Sequence, residues 1–179
     1  MTRMSWCGCV VLMGALLLSD IATAQQPNLN CTSAGPTGVA QTLQCEGGVT
    51  IVAENGAQYT LGDANHDGRI DSVELSGKAL LLDVERKSSG KKFQVNTPQA
   101  IAAVRGTRWA VDVTEGKTSV FVVRGRVNVG RRSGADRAVV LGPGEGVDVE
   151  ASAPLVVKRW APPRVSALMA RLGQSRTGQ

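Results

Sequence analysis

The sequence is poor in the residues that most enzyme sites require. Its 179 residues include a single histidine, His66, and only three tryptophans, two phenylalanines and one tyrosine. No nucleophile motif lies near His66, zinc sites lack ligands, and P-loop and dinucleotide fingerprints are missing. Few aromatic residues accompany the arginines, which argues against nucleic-acid binding. The composition therefore predicts a protein that is not an enzyme and has no nucleic-acid partner.

The N-terminus has the organisation of a secretory signal. Arg3 supplies the positive start, Cys7–Leu18 is apolar, and Ala22-Thr23-Ala24 has the small-x-small cleavage pattern. The apolar run has about 12 residues, whereas a membrane-spanning helix needs roughly 20. An uncleaved anchor is the alternative. We expect residues 1–24 to be a signal peptide, and the protein to be periplasmic or secreted with no transmembrane segment after cleavage.

Two cysteines remain beyond the predicted signal. In an exported chain, Cys31 and Cys45 are expected to form a disulfide. Loop-entropy models give roughly 3 kcal/mol for closing a loop of about 15 residues. The alternative, a lipidated or catalytic Cys31, lacks a preceding Leu-x-x-Cys motif. Residues 25–48 are rich in small and polar residues and show no apolar period, so we predict a loose arm tethered by the disulfide.

The formal net charge of +5 is concentrated at the C-terminus. Residues 151–179 contain no acidic residue and five basic ones: Lys158, Arg159, Arg164, Arg171 and Arg176. After Pro162-Pro163, one helical face is apolar, with residues at i, i+3, i+4 and i+7: Val165, Leu168, Met169 and Leu172. This helix could use Arg164 and Arg171 to contact a partner or anionic lipid. Alternatively, it covers the β core with its arginines outward.

Between these segments the pattern is that of short strands separated by turns. Within Val95–Val129, apolar residues alternate with polar ones after Arg108, and Glu115-Gly116-Lys117 marks a turn. Asn55-Gly56 between two apolar runs indicates a hairpin. We therefore predict an all-β domain over residues 49–150, an antiparallel β-sandwich or β-roll with one short C-terminal helix.

Several short strings in this domain resemble the FecR domain. They are Thr97-Pro98, Ala103–Thr107 (AVRGT), Thr118–Val120, Gly125–Val127 and Val139–Glu145. The resemblance covers roughly Val49 to Val149. It implies a periplasmic β domain of the kind found in regulators that read an outer-membrane transporter and instruct a sigma factor. Such regulators carry a cytoplasmic anti-sigma segment and a membrane span, and this sequence shows neither. We thus expect a sensing or docking domain whose partner is an envelope protein, such as a transporter or regulator.

Arg105, Gly106 and Thr107 within this resemblance are candidate partner-binding residues. Arg105 could contact a partner carboxylate, or its five N–H donors could bind backbone carbonyls at a strand end. Gly106 suits a turn that has no room for a side chain. Thr107 supplies a hydroxyl that can form a hydrogen bond to that turn. Both interpretations of Arg105 remain open at the level of sequence.

The segment Asp63–Glu74 matches the twelve-residue loop of EF-hand proteins, although no helices flank it. Gly68 would permit the sharp turn, and six residues would supply oxygen ligands to Ca²⁺: Asp63, Asn65, Asp67, Arg69 through its carbonyl, Asp71 and Glu74. The alternative is a tight turn without metal. If calcium binds, a structural envelope protein with no signalling role is the competing function.

Overall fold

The computed structural model describes residues 29–34, 38–86, 92–134 and 137–174. The predicted signal peptide lies outside these residues. The described part of the chain contains thirteen strands and one helix, in this order: β1 (Cys31–Ala34), β2 (Ala40–Cys45), β3 (Val49–Glu54), β4 (Gln58–Gly62), β5 (Ser72–Val84), β6 (Phe93–Asn96), β7 (Ala100–Val104), β8 (Arg108–Thr114), β9 (Lys117–Arg124), β10 (Val127–Arg131), β11 (Val139–Leu141), β12 (Glu145–Glu150), β13 (Lys158–Arg159) and α1 (Pro162–Arg171).

The strands form one curled sheet with two halves. Half A has the order β1-β2-β3-β5-β8-β9-β12-β13, and half B has the order β4-β5-β6-β7-β10-β11. The long strand β5 belongs to both: its first residues pair with β4 and β6, and Lys78 onward pairs with β3 and β8. Lys78 has φ 64°, next to Gly77, so β5 bends where it passes between the halves. All pairs are antiparallel except β5 with β6. The predicted all-β class with a C-terminal helix is confirmed.

The main core lies between the two halves. The alternation predicted after Arg108 is seen in β8, where Trp109, Val111 and Val113 are buried and Asp112 is half-buried, although Ala110 is buried as well. Trp109 of β8 is fully buried and meets Phe93 edge-on, with ring centroids 6.0 Å apart. Burial of such large apolar side chains from both halves is the main source of stability.

The segment predicted as a loose arm is instead part of the sheet. β1 pairs with β2, and β2 pairs with β3 along its whole length, so the sheet begins before residue 49. Cys31 and Cys45 are opposite residues of β1 and β2, and their disulfide is present. Half-buried Leu43 packs against the core. The correction follows from pairing: a Thr/Gln-rich strand gains its order from a neighbouring strand and not from its own apolar period.

The helix α1 forms a further layer on the outer surface of half A. Val52, Leu81, Ala110 and Phe121 are cross-strand neighbours that form one apolar row there. Leu168 of α1 and Leu172, directly after the helix, are buried in the same cluster as this row, together with Trp160. Trp160 stacks on Phe121 at 5.0 Å between ring centroids. The structure therefore uses the apolar face of α1 for docking on the sheet. No helix within the described residues is long and apolar enough to span a membrane.

Candidate functional site

The chain crosses between the halves of the sheet several times, and two of these crossings lie side by side; the Val-Arg-Gly-Thr turn is the first of the two. It joins β7 in half B to β8 in half A, and Gly106 takes φ 65° there. Thr107 is fully buried, and its hydroxyl donates a hydrogen bond to the carbonyl of Arg126 at 3.0 Å. The carbonyl of Thr107 accepts a bond from the N–H of Val84 at 2.9 Å. Gly106 and Thr107 thus hold the crossing in place.

The second crossing, from β9 to β10, packs directly against the first. Gly125 takes φ 91°, and a Cβ atom there would lie 2.7 Å from Oγ1 of Thr107 and 3.0 Å from the carbonyl oxygen of Gly106. A Cβ atom on Gly106 would likewise lie 2.8 Å from Cβ of Arg86. Glycine is required at both positions because three chain segments meet with no room for a side chain.

Six strand ends meet around these crossings, and each carries a basic residue. In half B, Val104 is the partner of both Phe93 and Val127, which brings together the ends of β6, β7 and β10. In half A, Arg108 is the partner of both Asp83 and Arg124. We call the resulting cluster the basic end; its members are Arg86, Lys92, Arg105, Arg108, Arg124 and Arg126.

The basic end is only partly neutralised. Asp83 pairs with Arg124 at 2.9 Å and with Arg108 at 3.8 Å. Arg86, Arg105 and Arg126 are exposed, and their side chains have no hydrogen-bond or ion-pair partner among the described residues. The bonds from Arg105 to backbone carbonyls that the sequence allowed are therefore not observed in the described part of the chain. Three guanidinium groups near one turn, without a partner in the described part of the chain, form an anion-attracting surface.

Charged side chains line several grooves of the described surface, including one of about 570 Å³ on half B, and the groove at the basic end is lined by both crossings. It has a volume of about 530 Å³ and is lined by Val84, Glu85, Arg86, Gly106, Arg124 and Gly125. Gly106 and Gly125 are half-buried, so some backbone of both turns is accessible in this groove. Sequence reasoning found only the central turn, because the strand register is what brings the other arginines to it.

The two helix arginines predicted as partner contacts both bind carboxylates of the sheet. Arg171 donates to Glu54 at 2.6 and 3.1 Å and to Asp112 at 2.8 and 2.9 Å. Arg164 donates to Asp148 at 3.0 Å and lies 3.5 Å above the ring of Trp160. Their guanidinium groups thus fasten α1 across half A. Contact with a partner or with anionic lipid stays a prediction for these residues.

The fastening of α1 changes the acidity of the carboxyl groups involved. Burial alone would raise the pKa of Glu54, but the hydrogen bonds and charge of Arg171, with the N–H of Ala79, lower it below its ordinary 4.5. Burial would likewise raise the pKa of Asp148, but the hydrogen bonds from Arg164 and Ser119 and the charge of Arg164 hold it below its ordinary 3.8. Both carboxyl groups therefore bind protons more weakly in the folded protein than in the unfolded chain.

This linkage predicts acid sensitivity. Because both folded-state pKa values are lowered, the stabilisation is complete above the ordinary values of 4.5 and 3.8, and it is lost as the pH falls through the folded values. We expect the urea midpoint to be constant from about pH 7 to 5 and to fall below about pH 4. The E54Q/D148N variant should have a lower midpoint at pH 7 and a shallower fall. An equally steep fall in that variant would assign the acid sensitivity to other groups.

The predicted calcium loop is held together by its own carboxylates. Asp63 accepts bonds from the N–H groups of Asp67 and Gly68 at 3.3 and 2.8 Å, and Asp71 accepts one from Ala64 at 3.1 Å. Glu74 lies in β5, where Asn96 and Arg132 bind it at 2.6 and 3.2 Å. Among the described residues, no three His, Cys, Asp or Glu side chains are grouped so that they could hold a metal ion. Calcium binding therefore stays a prediction.

Replacing Asp63 separates the two interpretations of this loop. As a turn residue, Asp63 satisfies two backbone N–H groups, so Asp63→Ala should lower the free energy of unfolding by about 1–2 kcal/mol without calcium. If the loop also binds calcium, millimolar Ca²⁺, but not equal Mg²⁺, should raise the melting temperature of the unaltered protein and not that of the variant. Asn65→Ala is the matched control for the turn. No loss of stability without calcium would contradict the turn interpretation.

The chain thus folds into a β domain that carries a charged surface at the basic end. The family model described as FecR protein matches residues 34–128, which is more than half of the chain. The chain therefore belongs to the FecR family. The family match begins within β1 and ends within β10, so it contains both crossings, whereas α1 lies beyond it.

Solved structures show the same fold. Two crystal structures, at 1.65 and 2.50 Å, of a protein from Parabacteroides distasonis ATCC 8503, provisionally described as an anti-sigma factor, are similar to this chain with a TM-score of 0.60. Sequence identity is 21% and 22%, over 77% and 78% of this chain. The chain spans 64% of the length of these proteins. The comparison with curated proteins gave no match.

Proposed function

We propose that this protein is an exported recognition module that senses the state of another protein of the cell envelope. The observation that carries the proposal is the family match over residues 34–128, because the resemblance to FecR domains implies periplasmic sensing. The Cys31–Cys45 disulfide is compatible with an oxidising compartment outside the cytoplasm. The unpaired charges at the crossings add a surface on which a partner could dock.

Surface recognition suits the chemistry that the domain presents. The large apolar side chains are buried, either in the core or under α1, and four exposed ones are scattered over the described surface: Val39, Val123, Val140 and Val156. Such isolated residues do not form an apolar docking patch. Electrostatic complementarity is then the available source of specificity and of fast association with a partner.

The test is site-specific photo-cross-linking in the cell that makes the protein. A photoreactive residue would replace, in separate strains, Arg126 at the basic end, Asn128 on half B and Lys158 at the edge of half A. We expect a discrete adduct with one envelope protein, formed from some of these positions and not from others. The adduct should form both with calcium and with a chelator. Adducts at none of the positions would overturn the proposal. An adduct that forms only with calcium would add calcium control to it.

A further inference from the structure

We infer that the basic end binds a carboxylate-rich segment of a protein partner; this inference rests on the proposed function and names the chemistry of its partner. The observation behind it is a contrast among the arginines. Arg164 and Arg171 are each bound to carboxylates of the sheet, as are Arg108 and Arg124 to Asp83. Arg86, Arg105 and Arg126 surround the crossings without such partners in the described structure.

The placement of these three residues is fixed by the fold. Arg105 and Arg126 directly adjoin the paired residues Val104 and Val127, so they occupy neighbouring strand ends. Arg86 packs against Gly106, and its Cβ atom lies 2.8 Å from the position of a Cβ atom added there. Like charges gathered at one end of the sheet repel one another in the free protein. A bound anion would remove that repulsion, which gives the site a reason to be occupied.

The residue types favour carboxylates recognised one at a time. Five of the six members of the basic end are arginine, whose planar fork pairs with carboxylate in two parallel hydrogen bonds, whereas lysine acts as a point charge. The groove of about 530 Å³ between Arg86 and Arg124 is large enough to admit side chains of an extended segment.

A membrane surface is the competing source of negative charge, and the geometry argues against it. Proteins that lie on anionic lipid usually combine basic residues with exposed large apolar side chains that enter the bilayer. Among the described residues of the basic end, Phe93 is buried, and only Val123 is a large exposed apolar neighbour, at 40% exposure. The acidic loop Asp63–Asp71 adjoins the start of β6, where the N–H of Gln94 donates to the carbonyl of Asp71 at 3.0 Å. Within the described residues, no ion pair joins the carboxylates of this loop to Arg86, Arg105 or Arg126.

The experiment uses the protein purified from its full sequence and a fluorescent peptide of alternating glutamate and serine as the probe. We expect the unaltered protein to bind this peptide, and R105E/R126E to weaken binding at least tenfold. The matched control R137E/K158E changes two exposed basic residues away from the basic end by the same charge, and it should bind within twofold of the unaltered protein. R105Q/R126Q, which keeps side-chain size, should be intermediate.

Vesicle binding and recovery of the cross-linked partner separate this inference from a membrane contact and from the proposed function. Vesicles with anionic lipid should not be bound; vesicle binding without peptide binding would assign the basic end to a membrane surface and overturn the inference. Equal peptide binding by R105E/R126E and by the control, with both folded by circular dichroism, would also overturn it. If the cross-linked partner is recovered equally by the unaltered protein and R105E/R126E, the proposed function stands and this inference fails. If no partner is recovered but the peptide result holds, the proposed function fails by itself.

Discussion

Replacing Arg171 with alanine is expected to lower the free energy of unfolding by about 2–3 kcal/mol at pH 7. Arg171 is bound to both Glu54 and Asp112, whose side chains are only 17% and 15% exposed. Without the guanidinium, two poorly hydrated carboxylates would face each other unpaired. Breaking a buried ion pair in this way typically costs 3–5 kcal/mol, and the 39% exposure of Arg171 reduces the expected loss. Urea denaturation measures it directly.

Two controls show whether the loss comes from the ion pairs. Arg164→Ala removes a comparable arginine, but Arg164 and Asp148 are 41% and 37% exposed, so we expect a loss of about 1 kcal/mol or less. In the E54Q/D112N background the carboxylate charges are gone, and Arg171→Ala should cost less than half as much as it does in the unaltered protein. An equal cost in both backgrounds would mean that Arg171 acts through the packing of its alkyl chain.

The ion pairs of Arg171 also show what could not be predicted from the sequence. The spacing of Val165, Leu168, Met169 and Leu172 predicts the helix and its buried face correctly. The same spacing cannot reveal which residues of the sheet lie beside that face. Arg171 is 117 residues from Glu54 and 59 from Asp112, so only the folded sheet brings them together.

The same division between local and non-local information applies to the sheet. Alternation in β8 and the turn at Gly116 are local signals, and they predict strands at the correct places. β1 and β2 carry little apolar alternation, since their order comes from pairing with β3 and from the disulfide. The sequence therefore predicts the class of fold but misses its first two strands.

The candidate site divides in the same way. The resemblance around Arg105 identifies the central turn, and the family match covers that region, while its role as a site stays a prediction. The basic end could not be predicted, because Arg86 and Arg126 are 40 positions apart in the sequence and come to the same end of the sheet only where the two crossings pack together. Charge clusters assembled by strand register have no signature in the order of residues.

Replacing Gly125 with alanine is expected to lower the free energy of unfolding by about 3–4 kcal/mol. Two costs combine. The φ of 91° is a conformation that residues with a Cβ atom adopt at roughly 1–2 kcal/mol. The added methyl group would also lie 2.7 Å from Oγ1 of the buried Thr107, and overpacking of this kind typically costs about 1–3 kcal/mol.

Gly116→Ala is the control that separates these two costs. Gly116 also has a positive φ, 69°, but no atom lies within 4 Å of the position of its added Cβ. We expect a loss of about 1 kcal/mol there, from the backbone alone. The difference between the two variants in urea denaturation then measures the close contact of the crossings. Equal losses would show that the turn around Gly125 can move away from Thr107.

The contact of the crossings should also affect the basic end. If the added methyl group pushes the two turns apart, the hydrogen bond from Thr107 to the carbonyl of Arg126 lengthens, and Arg105 and Arg126 separate. Under conditions in which both variants stay folded, Gly125→Ala should therefore weaken binding of the acidic peptide severalfold, whereas Gly116→Ala should not. Unchanged peptide binding by a destabilised Gly125→Ala protein would mean that the arginines bind independently, without the spacing that the crossings impose.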